Sequence, residues 1–117
     1  MNTHSREPFY LYQKYFNDFE KGDHPVCKYK LLEFCQDLEA LGLLLSQFDW
    51  TYWYSSSHLV DKPAYILDAT YKECQFLLTA MVRLERFSPG VLDNMRRQGV
   101  LLAIIERLQA LTLKHAV

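Results

Sequence analysis

Ala69-Thr70-Tyr71-Lys72-Glu73-Cys74-Gln75-Phe76-Leu77-Leu78-Thr79-Ala80-Met81-Val82-Arg83-Leu84-Glu85-Arg86-Phe87 reads as one helix that is apolar on more than one face. Tyr71, Cys74, Leu78, Met81 and Leu84 recur at the three-to-four spacing of one helical stripe, and Phe76, Ala80 and Phe87 form a second. A helix apolar nearly all round packs near the centre of its fold. Its start is signalled by Asp68 or Thr70, and Thr70 with Glu73 has the spacing of a capping box.

Downstream, Ser88-Pro89 reads as an N-cap followed by the first helical position of a short helix that Gly99 ends. A last helix follows, with Leu101, Ile104, Ile105, Leu108 and Leu111 inward. Upstream, Leu31, Phe34, Cys35, Leu38, Leu41, Leu45 and Phe48 make one long stripe after the start signal Asp23-His24-Pro25, with Lys28, Lys30, Glu33, Asp37 and Glu39 lying off it. Ser5 is placed to cap a first helix, with Pro8 in its first turn; Phe9, Tyr12, Phe16 and Phe19 share a stripe, Tyr15 lies beside them, and Gly22 offers a stop. No strand-like alternation of useful length occurs anywhere. The expected fold is therefore all-α: a compact single-domain bundle of five to six helices across residues 1–117.

Composition sets outer limits on function. The chain has 117 residues, enough for one domain with a real core, and 50% hydrophobic against 23% charged residues argues against disorder. Eight Tyr, seven Phe and two Trp supply far more rings than usual, which suits either a thick core or an adhesive surface. Residues 1–67 carry six basic and nine acidic side chains and residues 68–117 seven and five, so a balance of −3 gives way to +2. That weak gradient is far from the basic excess that phosphate-backbone binding needs, and a nucleic-acid partner is disfavoured. Cys27, Cys35 and Cys74 are odd in number and lack paired spacing, so free buried thiols in a reducing cytoplasm are expected. Met1 to Glu7 holds no apolar signal core, and no apolar run approaches the roughly 20 residues of a membrane span.

Residue by residue, the chemistry of catalysis is missing. His24 and Cys27 lie three apart, but His4, His58 and His115 stand alone and no second ligand pair completes a metal site. The three cysteines lie on or near apolar stripes, as core thiols do. Ser55-Ser56-Ser57 beside His58 has no motif that would fix a dyad, and the four scattered glycines form no phosphate-cradling loop. Neither an enzyme activity nor a cofactor is expected.

Two constellations remain. In Arg83-Leu84-Glu85-Arg86-Phe87, charges interrupt a helix that otherwise belongs to the core. Arg83 shares a face with Phe76, Ala80 and Phe87, and Glu85 falls nearest Leu78 and Met81. One reading has Arg83, Glu85 and Arg86 pair with one another or cap neighbouring helix ends; the other has the two arginines grip an anionic ligand, for which guanidinium forks are suited. The second constellation is Phe48-Asp49-Trp50-Thr51-Tyr52-Trp53-Tyr54, five rings in seven positions. Asp49 is placed to cap a short helix that brings Trp50 and Trp53 to one side. This segment is either a lid of rings over the bundle or a patch in which Trp50, Tyr52, Trp53 and Tyr54 anchor a partner.

The run Leu78 to Leu92, followed by Gln98-Gly99-Val100-Leu101 and Ile105-Glu106-Arg107-Leu108, resembles the core signature of a bacterial family known only as a domain of unknown function. That signature reads roughly L-T-x-x-x-R-x-[DE]-R-F-x-x-G-x-L, and Phe48-Asp49-Trp50 with Trp53 is similar to the family's F-D-W-x-x-W element. The likeness spans about residues 48–108; residues 1–30 show no family pattern, and Glu85 stands where Asp is more usual. It implies no known activity. Similarity of such members to small accessory proteins of bacteria and their mobile elements implies an adaptor or inhibitor, for instance of a defence or toxin system. The leading expectation is thus a non-catalytic helical module that binds another protein through Trp50, Tyr52, Trp53, Tyr54, Arg83, Glu85 and Arg86. The rival is a small-ligand or enzyme-accessory domain whose arginines and tryptophans enclose a nucleotide-like anion. Self-association as a homodimer is compatible with both.

Overall fold

A computed structural model describes residues 7–116, with side chains described for residues 9–112. Among the described residues six α-helices run in the order α1 (Glu7–Tyr15), α2 (Lys28–Ala40), α3 (Thr51–Ser56), α4 (Tyr71–Phe87), α5 (Val91–Arg97) and α6 (Val100–Ala116). Two 3-10 turns, Ser57–Val60 and Pro63–Asp68, bridge α3 to α4. The described residues hold no strand, and the protein is all-α.

The centre lies between α4 and α6. Cys74, Leu77, Leu78, Ala80 and Met81 of α4 are buried, as are Val100, Leu101, Ile104, Ile105 and Leu108 of α6. α6 lies against α1, α4, α5 and the Pro63–Asp68 turn, so the last helix shares the central place that the sequence pattern assigns to α4. Thr70 and Glu73 form the expected capping box: the Thr70 hydroxyl accepts from Glu73 N–H at 3.0 Å and Glu73 accepts from Thr70 N–H at 2.9 Å.

Three element boundaries differ from the sequence reading. α1 ends at Tyr15, and its inward residues are Leu11 and Tyr15, continued by Phe19 in the following turn; Phe9 and Phe16 of the expected stripe are exposed. Ser5 lies outside the described residues. α2 stops at Ala40 rather than running to Phe48, because Gly42 takes a left-handed φ of 72°. There Gly42 N–H reaches Glu39 O and Leu43 N–H reaches Leu38 O, the pair of bonds that closes a helix when glycine follows the C-cap. Ser88 and Pro89 do not start α5: Ser88 caps the end of α4, and Gly90, with φ 107°, precedes Val91.

Candidate functional site

Because Gly42 stops α2 at Ala40, residues 41–50 become an irregular strap that crosses α4 instead of a helical stripe. It is pinned at Leu45, whose N–H donates to the Thr79 hydroxyl at 2.9 Å, while that hydroxyl donates to Gln75 O at 2.7 Å. Thr79 is buried, so this bond serves a strap amide that has no helix or ladder to satisfy it. Farther along, Phe48 stacks on Phe76 with ring centroids 4.7 Å apart, and Trp50 meets Phe48 edge-on at 4.6 Å. The Arg83 guanidinium sits 5.1 Å from the Phe48 ring centroid, close enough for cation–π attraction.

The strap and the second half of α4 enclose an open cleft of about 490 Å³. Leu44, Leu45, Ser46 and Trp50 line it from the strap, Thr79, Val82, Arg83, Arg86 and Phe87 from α4, and Glu39 from the end of α2. Arg83 is half-buried and Arg86 exposed. Among the described residues neither arginine forms an ion pair, whereas Lys14, Lys30, Arg96 and Arg97 all do. Phe87, expected on an inward stripe, is 83% exposed at the cleft's edge.

Of the seven residues singled out in the sequence, Trp50, Arg83 and Arg86 therefore share one cleft. The others do not. Tyr52 lines a separate hollow with Phe76 and Lys72, and Tyr54 stands in solvent. Trp53 packs, partly buried, against the core with Trp50 edge-on to it at 6.4 Å. Asp49 does steady α3: its carboxylate accepts from Thr51 N–H at 2.9 Å, and that bond holds its pKa below the ordinary carboxylate value.

Glu85 faces another way and has a structural task. Its carboxylate accepts from Gly90 N–H at 3.1 Å and from Leu92 N–H at 3.0 Å, so it caps α5 from the preceding helix. The mutual pairing of Arg83, Glu85 and Arg86 does not form; the capping half of that reading holds for Glu85 alone. The charge that is buried is Arg96, which the sequence reading passed over. It is fully enclosed, its Nε 3.0 Å from Asp93 Oδ1 and its Nη1 donating to Gly22 O at 3.3 Å and lying 3.4 Å from His24 Nε2. Nη2 has no partner among the described residues.

Two of the three thiols are raised by their surroundings. Burial pushes the Cys74 thiol up to about 12, and burial with the nearby Glu85 carboxylate raises Cys35. Cys27 is exposed rather than in the core, and all three cysteines are free. Among the described residues no group of His, Cys, Asp and Glu is arranged to hold a metal, and no helix is long and apolar enough to cross a membrane.

The model of a family described as "Family of unknown function (DUF6508)" matches residues 13–114. The match reaches upstream of residues 48–108, to which the sequence resemblance is confined, and takes in all of α2. No curated protein and no solved structure matches the chain.

Proposed function

The chain belongs to the DUF6508 family, whose function is unknown, and from that premise we propose that it is a non-catalytic module that binds another protein in the cleft between the strap and α4. One observation carries the reading: two arginines without ion-pair partners among the described residues and two accessible rings, Trp50 and Phe87, line the same open cleft. Trp and Arg are the residues in which interface binding energy concentrates, and they act best beside apolar surface that sheds water on contact. The raised thiols of Cys35 and Cys74 support a role without covalent chemistry, and three free cysteines suit a reducing, cytoplasmic setting.

A second reading places a small anion between Arg83 and Arg86, and the cleft volume falls within the range of ligand pockets. The test compares the parent with Arg86→Glu, a change at an exposed position that leaves folding intact. Each is used as bait in host extract, and any protein retained only by the parent is purified and titrated calorimetrically against both. Saturable binding by the parent that Arg86→Glu removes supports the proposal. Equal binding by the parent, Arg86→Glu and a third bait, Trp50→Leu, excludes the cleft. Thermal stabilisation by nucleotides or phosphate, with no protein retained, favours the anion reading.

A further inference from the structure

We propose that the cleft accepts an acidic, partly apolar segment of its partner, with a carboxylate held between Arg83 and Arg86 and a neighbouring apolar side chain laid against Trp50 and Phe87. This inference rests on the protein-binding reading above and adds the chemistry of the segment bound.

Charge complementarity selects the acid. Arg83 and Arg86 are three residues apart on α4, so their side chains leave the same face one turn apart. A carboxylate reaching that face meets two guanidinium groups that no described carboxylate already occupies. Arg83 is also placed in advance, since its guanidinium rests beside the Phe48 ring, which is itself stacked on the buried Phe76. Holding a long side chain before contact lowers the ordering cost of binding. Glu39 lines the same cleft from α2 and has no ion pair among the described residues. It repels a second acid on that side, so the segment carries its acidic side chain toward α4 and a neutral or basic one toward α2.

Exposure selects a segment rather than a free anion. Arg86 is exposed and Phe87 is 83% exposed, so water reaches one side of any bound ion. An ion pair in such surroundings is screened by water and contributes too little to retain a small anion by itself. Covering Trp50 and Phe87 adds apolar burial, which only an occupant with its own apolar surface supplies.

The experiment titrates the purified full chain with three short synthetic peptides of equal length that alternate leucine with glutamate, serine or lysine, and separately with inorganic phosphate. Fluorescence of Trp50 and Trp53, the two tryptophans of the chain, reports binding, and calorimetry confirms it. The glutamate–leucine peptide is expected to bind tightest, to weaken as salt rises, and to lose about tenfold in affinity with Arg86→Glu. Trp50→Leu should weaken it as well, and a parent-like melt of both variants excludes misfolding as the cause. If the serine or lysine peptide binds as tightly, and Trp50→Leu weakens binding while Arg86→Glu does not, the acidic assignment is overturned and the protein-binding reading stands. Phosphate bound with the same dependence on Arg86, and no peptide bound, overturns both. Failure of every probe overturns the acidic segment, and the bait comparison then decides the broader reading on its own.

Discussion

The seam around residues 14–37 and the cleft beside α4 contain the same kinds of side chain, long cations and aromatic rings, arranged to opposite ends. At the seam Lys14 and Lys30 are both matched. Lys14 lies 2.7 Å from both Glu33 and Asp37, Tyr15 donates its hydroxyl to Asp37 at 2.7 Å, and Lys30 reaches Asp18 at 3.6 Å. Tyr15 and Phe19 stack at 4.9 Å, with Phe34 edge-on to both, and all three rings are fully buried. Arg96 extends this closure from α5. At the cleft neither arginine has a carboxylate partner among the described residues, and Trp50 and Phe87 stay exposed. Charges satisfied internally fix one helix to the next; charges left unsatisfied beside open rings are available to something else. The ion pairs lie at the seam and in α5, and among the described residues the second half of α4 has none.

That contrast is broken most directly at Asp93. Arg96 is wholly enclosed, and Asp93 is its only carboxylate within the described residues. Asp93→Ala leaves a buried guanidinium with a single carbonyl and a histidine, and should cost about 3 kcal/mol in urea denaturation. A variant that unfolds at the parent's urea concentration would show that burial and pairing do not go together here, and the distinction between the two regions would fail.

Next in size is Asp37. Replacing it with alanine removes the acceptor of the buried Tyr15 hydroxyl and should cost about 2 kcal/mol. Its pH signature is more specific. Burial alone would raise the Asp37 pKa, but the hydrogen bonds from Lys14 and Tyr15 outweigh it and leave the carboxyl below its usual value. A depressed acid contributes stability in full above the unfolded value, about 4, and loses it as pH falls through its own lower value. Asp37→Asn should therefore flatten the decline in stability below pH about 4. Lys14, raised by its bonds to Asp37 and Glu33, and Tyr15, raised by burial and by Asp37, lose their contribution at the other end, as pH climbs past about 10. Acid and base titrations of the two proteins, followed by circular dichroism, check both limbs.

The helices were legible where periodicity and caps agree. Thr70 and Glu73 announce α4, and the run Leu101 to Leu108 announces α6, because local spacing alone carries that information. The boundary of α2 was missed although its signal was present: Gly42 interrupts the stripe from Leu31 to Phe48, and its left-handed backbone ends the helix there. Reading that glycine as a stop releases residues 41–50 as a strap, and with it one wall of the cleft. The site was half legible. Arg83, Arg86 and Trp50 stand out as charges in an apolar helix and a ring in an aromatic run, but nothing local says that they meet. Arg96 was not legible, since one of its partners, Gly22 O, lies 74 residues away in sequence. Ion pairs and caps made between elements depend on the turn geometry that brings them together, and single-sequence patterns do not encode it.

The smallest effects are the most discriminating, because they compare neighbours on one helix. Glu85 and Arg86 are adjacent, both charged and both near the end of α4. Glu85 satisfies Gly90 N–H and Leu92 N–H at the start of α5, so Glu85→Ala removes a cap and should cost about 1 kcal/mol. Arg83→Ala gives up its contact with the Phe48 ring and should cost about 0.5–1 kcal/mol. Arg86→Ala removes an exposed side chain with no ion pair among the described residues and should fall within about 0.5 kcal/mol of the parent. Binding should rank the three the other way: Arg83→Ala and Arg86→Ala weaken the glutamate–leucine peptide, and Glu85→Ala, whose carboxylate lies outside the cleft, leaves it unchanged. Thermal melts and peptide titrations on the same three proteins give both rankings. If stability and binding fall together across the series, α4's last turns form one structural unit, and the division between a closed seam and an open cleft does not describe this molecule.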